Sequence, residues 1–222
     1  MSAEPPGAND LADARLDRVL AAIDAANADD PRKCVVDGRE IAFEQLYSAR
    51  MSAHLARIYA HPSALLRIAA HAQHLRRWEI PRGDFPPGRH GYNDWRKRCR
   101  IHHADLVAAI MREHGYSDAE AAHVGSLIKK EQLKKDPESQ ALENVAAVVF
   151  LAYYFDEFLA KYTGYDDDKI VDILGKTLCK MSPRGHAAAL ELPLPERARA
   201  LIAAAIEKES AALARLAAVA ID

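Results

Sequence analysis

DPESQALENVAAVVFLAYYF, residues 136–155, decides the fold. Asp136 has the side chain of a helix N-cap, Pro137 suits a first helical position, and the Glu138 charge favours a first turn. The pattern predicts a helix over 137–162 that is apolar nearly all round from Val145 to Phe155. A helix with no polar face needs other helices on every side, so it belongs in the middle of a bundle. Its apolar run is about half the length that a bilayer requires.

Read outward from this segment, the chain is a series of helices. Leu11, Leu16, Val19, Leu20 and Ile23 form a helical stripe over 10–28. Cys34 to Val36 reads as a short extended piece beside Asp37-Gly38. Helices are expected over 40–59 and from Ser63 to Trp78. Ile80 to Tyr92 is too rich in Pro and Gly for regular helix. Asn93 or Asp94 then caps a helix ending at Gly115, and Ser117 with Glu120 makes a capping box for 118–132. Asp166 to Asp168 open a helix to Met181, and Pro195 opens a long one over 195–222, a packing or homodimer element. Together these predict one all-α domain over 1–222, a bundle of about seven to nine helices behind a disordered 1–9.

Composition narrows the partners. The 222 residues carry a formal net charge of −2, and half are hydrophobic. That near balance argues against nucleic acid, which attracts basic chains. No apolar run reaches membrane-spanning length, and MSAEPPGAND lacks the basic-then-apolar pattern of a signal peptide. Three cysteines far apart, Cys34, Cys99 and Cys179, make neither a disulfide framework nor a zinc spacing. A cytoplasmic location is expected.

The chemistry gathers in HAQHLRRWEIPRGDFPPGRHGYNDWR, residues 71–96, with His102-His103 close behind. His71 and His74 are spaced to share a helix face. His102 and His103, being adjacent, diverge by about 100°, so one of them faces any given point. Glu143 stands among Leu142, Val145 and Ala146, where a carboxylate must be paired, protonated or bound to a cation. His74, His103 and Glu143 are therefore the candidate ligands of a divalent transition metal, Mn, Fe, Co or Zn, with His71, His102 and Asn144 as additional candidates. Arg77, Arg82 and Arg89, with Lys130 beyond them, are candidate anion-binding groups, because guanidinium forks grip phosphate bidentately. The opposing expectation is that the arginines hold the loop by pairing with Glu79, Asp84 and Asp94.

QHLRRWEIPR (73–82), GYNDWR (91–96), the HHA that follows, residues 136–155 and KTLCKMS (176–182) resemble the family catalogued as domain of unknown function 4202. The likeness runs from about Leu16 to Ala204 and implies membership, not an activity. A weaker resemblance is to the HD phosphohydrolase superfamily, all-α proteins that hold metal between helices. It implies an HD-like core, with Gln73-His74 where the His-Asp pair would stand, His103 as the later His, and Glu143 or Asn144 in place of the final Asp. The chain departs from that pattern in having no His-Asp dipeptide.

The expected function is a metal-dependent hydrolase of a phosphorylated small molecule or nucleotide. The competing expectation is a non-catalytic helical module that binds an anionic ligand or a protein partner. A carboxylate–histidine oxidase would need more buried Glu, in Glu-x-x-His pairs, than the chain offers.

Overall fold

The computed structural model describes residues 8–221. The chain is all-α: among the described residues there are eleven α-helices, two 3-10 turns and one two-stranded hairpin. It gathers into two compact units, residues 8–52 with Pro62–Glu131, and Ala53–His61 with residues 132–221. Of the stretch expected to be disordered, residues 1–7 lie outside the described part, while 8 and 9 open the first helix.

The first unit begins with α1 (Ala8–Ala28). A hairpin follows, β1 (Lys33–Val36) paired antiparallel with β2 (Arg39–Ala42). Its two-residue turn has positive φ at both Asp37 (50°) and Gly38 (75°), the turn whose twist matches a right-handed ribbon. Next come α2 (Phe43–Ile58), of which residues 43–52 belong here, then α3 (Ala64–His71), α4 (Gly88–Glu113) and α5 (Asp118–Lys129). Helix α4 packs on α5, α5 on α3, and α1 on both α3 and α4. Val19, Ile23, Met51, Ile68, Leu75, Val107, Met111 and Leu127 are sealed from solvent between them. Ser117 and Glu120 close the expected capping box at the start of α5.

Residues 40–42, expected to open a helix, form strand β2 instead, and two further boundaries of this unit differ from expectation. The helix expected to reach Trp78 ends at His71, and hydrogen bonds from Leu75, Arg77, Glu79 and Ile80 reach back only three residues, to Ala72, His74, Arg76 and Arg77. Arg76 breaks the spiral by adopting left-handed φ 50°, and Pro81 disfavours helix at the residue before it. The loop is in turn shorter than expected, because α4 starts at Gly88 rather than at Asn93. Gly91 permits this: a Cβ there would meet the Pro86 carbonyl oxygen at 2.0 Å.

The second unit is built on α6 (Pro137–Tyr153), with α7 (Phe155–Lys161), α8 (Asp167–Leu178), α9 (Pro183–Leu190), α10 (Glu196–Lys208) and α11 (Ser210–Ala217). The cap on α6 is as expected, Asp136 accepting from the Glu138 amide at 2.8 Å. Buried side chains run almost continuously from Ser139 to Leu151. A turn at Tyr154 ends α6 early, so that Phe155 enters the core while Tyr153 stays exposed. A second turn at Glu209 divides the long C-terminal helix into α10 and α11. Helix α9 was not expected, although Ser182-Pro183 is a cap followed by a first-position proline.

Asn144 is the hub of the α6–α9 contact. Its amide donates to Tyr59 Oη and Ser182 Oγ, both at 2.8 Å, and its carbonyl accepts from Gln140 Nε2 at 3.2 Å and the Ser182 amide at 3.0 Å. Gly185 lies directly against it.

Candidate functional site

The polar interior of the first unit has two tiers. The outer tier ties helices together. His71 Nε2 donates to Asp24 Oδ1 at 2.9 Å, which leaves Nδ1 to accept from the Ser52 hydroxyl at 2.9 Å. This chain has the order of an acid–base–nucleophile relay. Ser52, however, sits within α2, whose amides are engaged in the helix, so no oxyanion donors accompany it. What the relay does is bridge α1, α2 and α3. Ser48 donates to the His71 carbonyl at 2.6 Å and receives the Asn27 amide at 3.1 Å. Asn27 Oδ1 in turn accepts from the Arg76 amide at 2.9 Å, which holds that residue's left-handed backbone in place.

The inner tier centres on His74 and His103. The His74 ring stacks on Tyr47, with centroids 3.8 Å apart, and lies 6.0 Å from the His103 ring. His103 Nδ1 is 2.7 Å from the Leu75 carbonyl oxygen. A carbonyl can only accept, so Nδ1 carries the proton and Nε2 holds a bare lone pair. That nitrogen is buried and has no hydrogen-bond partner among the described residues. His74 Nδ1 stands 3.3 Å from Glu44 Oε2, within ion-pair reach though without the alignment of a hydrogen bond. The Arg77 guanidinium donates to His74 Nε2. Each imidazole thus has Nδ1 beside an oxygen, which leaves Nε2 to meet Arg77 in His74 and, among the described residues, no partner in His103.

The electrostatics keep these rings neutral. Burial, then the charges of Arg77, Lys130, Arg96 and Arg32, hold His74 well below the usual histidine range. Burial, then His74, does the same to His103 against the raising effect of the Leu75 hydrogen bond. Glu44 is sealed at the start of α2, and burial pushes its carboxyl up despite the Arg32 hydrogen bond. Arg32 bridges two buried carboxylates, reaching Asp30 Oδ2 at 2.8 Å and Glu44 Oε1 at 2.7 Å. Burial would raise Asp30 as well, but its bonds to Arg32 outweigh that and hold it low.

The other residues expected at the site have varied fates. Glu143 and Asn144 are buried on α6 in the second unit. The carboxylate beside His74 is Glu44, which sequence reading passed over because it sits in an ordinary helix start. His71 does not share a helix face with His74, since α3 ends between them, and its ring nitrogens are taken by Asp24 and Ser52. His102 diverges from His103 as expected and meets Glu79 Oε2 at 3.0 Å. Arg82 donates to the Phe85 and Pro86 carbonyls at 2.9 and 3.0 Å, so it shapes the loop. Arg89 is exposed in the first turn of α4, and Lys130 caps α5 in a left-handed conformation. Arg76 pairs with Glu79 at 2.7 Å, as the loop-holding expectation has it. Arg77 instead lies over the Trp95 ring, 4.7 Å from its centroid, and touches His74.

Among the described residues, no three His, Cys, Asp or Glu side chains are arranged to enclose a metal. The cluster offers a pair of imidazole nitrogens with a carboxylate beside one of them. No helix among the described residues is long and apolar enough to cross a membrane. No curated protein and no solved structure matches the chain. A family model does match, over residues 17–202, and the chain belongs to the family described as Domain of unknown function (DUF4202).

Proposed function

We propose that the first unit carries a metal-assisted phosphate site and that the protein hydrolyses a phosphorylated small molecule. The observation behind this reading is His103 Nε2, a buried acceptor without a partner among the described residues. Leaving such a group unmet costs about 1–3 kcal/mol. An anion cannot relieve a bare lone pair; a cation or a donor can. The pinned Nδ1–H of His103 is what a metal-ligating histidine ordinarily has, since the outer bond fixes the tautomer and aims the other nitrogen. Neutral imidazoles and a carboxylate suit Mn, Fe, Co or Zn.

In this reading His103 and His74 hold the ion through Nε2, and Glu44 orients His74 from behind. A bound divalent ion would lower the pKa of its water and polarise the phosphoryl oxygen. Arg77, backed by Arg32 and Lys130, draws the phosphate in and offsets its charge. The indole of Trp95 under Arg77 keeps the guanidinium plane in place.

Protein purified without chelator is expected to contain about one transition-metal ion per chain and to be stabilised thermally by Mn, Co or Zn. His103→Gln should lose that ion, weakening affinity by more than the ~10–100-fold that loss of an outer-shell partner costs. It should also abolish hydrolysis across a panel of nucleotides and sugar phosphates.

A second reading is favoured by the excess of cations around His74 and by the guanidinium already on its Nε2: a module that binds an anion without metal. Wild type that is metal-free and unresponsive to divalent ions, yet stabilised by phosphorylated compounds, would establish it instead.

A further inference from the structure

We infer that metal and phosphate strengthen each other's binding at this site, and that Arg77 is the group coupling them. The inference rests on the site reading above and adds its order and its ligand class.

Two observations carry it. The first is the shortage of ligands. His74 and His103 provide two Nε2 nitrogens, and no third His, Cys, Asp or Glu completes a set among the described residues. Catalytic metal sites usually have three protein ligands. The missing donor has to arrive with the substrate, and phosphate oxygens are suitable donors for Mn and Co.

The second observation is the position of Arg77. Its guanidinium donates to His74 Nε2, the lone pair a metal would need. Arginine carries only donors and does not lose its charge, so while it stays there His74 is withheld from any cation. A neutral imidazole is a weak acceptor for a guanidinium, and a phosphate dianion is a much stronger one. When a phosphate enters, Arg77 gains a better partner by leaving His74 for it. That step exposes Nε2 to the metal while the phosphate oxygens supply the remaining coordination. Neither ion alone achieves both. The ligand class follows: a tetrahedral oxyanion with oxygens to spare for both a guanidinium and a metal, hence a phosphate monoester or inorganic phosphate and not a single carboxylate.

Coupling of this kind is reciprocal, each ligand strengthening the other by the same factor. Arg96 serves as the control. It also acts on His74 by charge, and it stacks on Tyr92 at 5.7 Å rather than touching the imidazole. Removing Arg96 removes a cation without removing the block.

The experiment is a titration of the full chain with Mn²⁺, free ion followed by its EPR amplitude, with and without saturating inorganic phosphate, and repeated with Co²⁺ by absorbance. In wild type, phosphate should tighten metal binding about tenfold, within the usual range of allosteric couplings. Arg77→Leu should bind metal alone about tenfold more tightly than wild type, with much of the phosphate effect gone. Arg96→Leu should behave like wild type. Equal metal affinity with and without phosphate in wild type overturns the coupling and leaves the metal site standing. So does an Arg96→Leu variant tightened as much as Arg77→Leu, which would mean simple charge repulsion. If wild type and Arg77→Leu both fail to bind either metal, with phosphate present, then the metal-site reading falls and this inference falls with it.

Discussion

Metal-free protein taken from pH 7 to pH 5 is expected to lose folding stability, at most about 4 kcal/mol, most of it through His74 and His103. Both rings are held neutral in the fold, well below the ordinary value of 6.5. In the unfolded chain each takes up a proton once the pH falls through that value. The unfolded state then binds more protons, so stability drops as pH drops, by up to about 2 kcal/mol per histidine over this interval. The loss begins near pH 6.5 and continues down to the depressed folded values. His74, with 21% of its side chain open to solvent, gives the smaller share. Glu44 works in the opposite sense: its raised carboxyl takes a proton in the fold first and trims the loss in the lower part of the range. Asp30, held low, adds to the loss only in stronger acid. Urea unfolding by circular dichroism at pH 7, 6 and 5 in the presence of EDTA measures the slope, and His103→Gln should roughly halve it. A midpoint that stays constant over that range would falsify the neutral-imidazole account.

Gly185→Ala should lower stability by about 3 kcal/mol, because overpacking and a broken polar network act together. A Cβ at this position would meet Asn144 Oδ1 at 2.5 Å and Asn144 Cβ at 3.0 Å. Asn144 cannot swing aside, since all of its amide valences are spent on Tyr59, Ser182 and Gln140. For a chain of this size the expected fall in Tm is about 6–12 °C. Gly83 has nothing within 4 Å of an added Cβ, so Gly83→Ala should stay within about 0.5 kcal/mol of wild type. A Gly185→Ala melt matching Gly83→Ala would show that α9 can slide.

Much of the helical skeleton was legible because its signals are local. The Asp136-Pro137 cap, the Ser117–Glu120 box and the apolar run after Leu142 each act within one or two turns. Hence α5 and α6 begin where the pattern puts them. What escaped depends on partners distant in sequence. Arg76 turns left-handed because Asn27, on α1, receives its amide. Glu44 could not be paired with His74 by any spacing rule, since thirty positions of helix and loop separate them. His74 and His103 could be singled out, because imidazoles flanked by arginines are rare in an alanine-rich chain; their acidic neighbour could not. The α9 helix was readable from Ser182-Pro183, and the short, alanine-heavy segment after it gave too weak a stripe to follow.

The left-handed residue between His74 and Arg77 also sets a timescale. A side-chain-bearing residue in that basin stores roughly 1–2 kcal/mol. The backbone from Ala72 to Ile80 is held by single-turn hydrogen bonds rather than by a continuous spiral. Opening such a stretch does not require melting α3 or α4, so it is a local fluctuation, far more frequent than unfolding. Solvent access to the imidazole pair is then governed by the breathing of half a dozen peptide units and not by the stability of the helices around them. Residue-resolved amide exchange should find 74–79 among the quick exchangers of the unit, while the interiors of α4 and α5 report its full unfolding free energy.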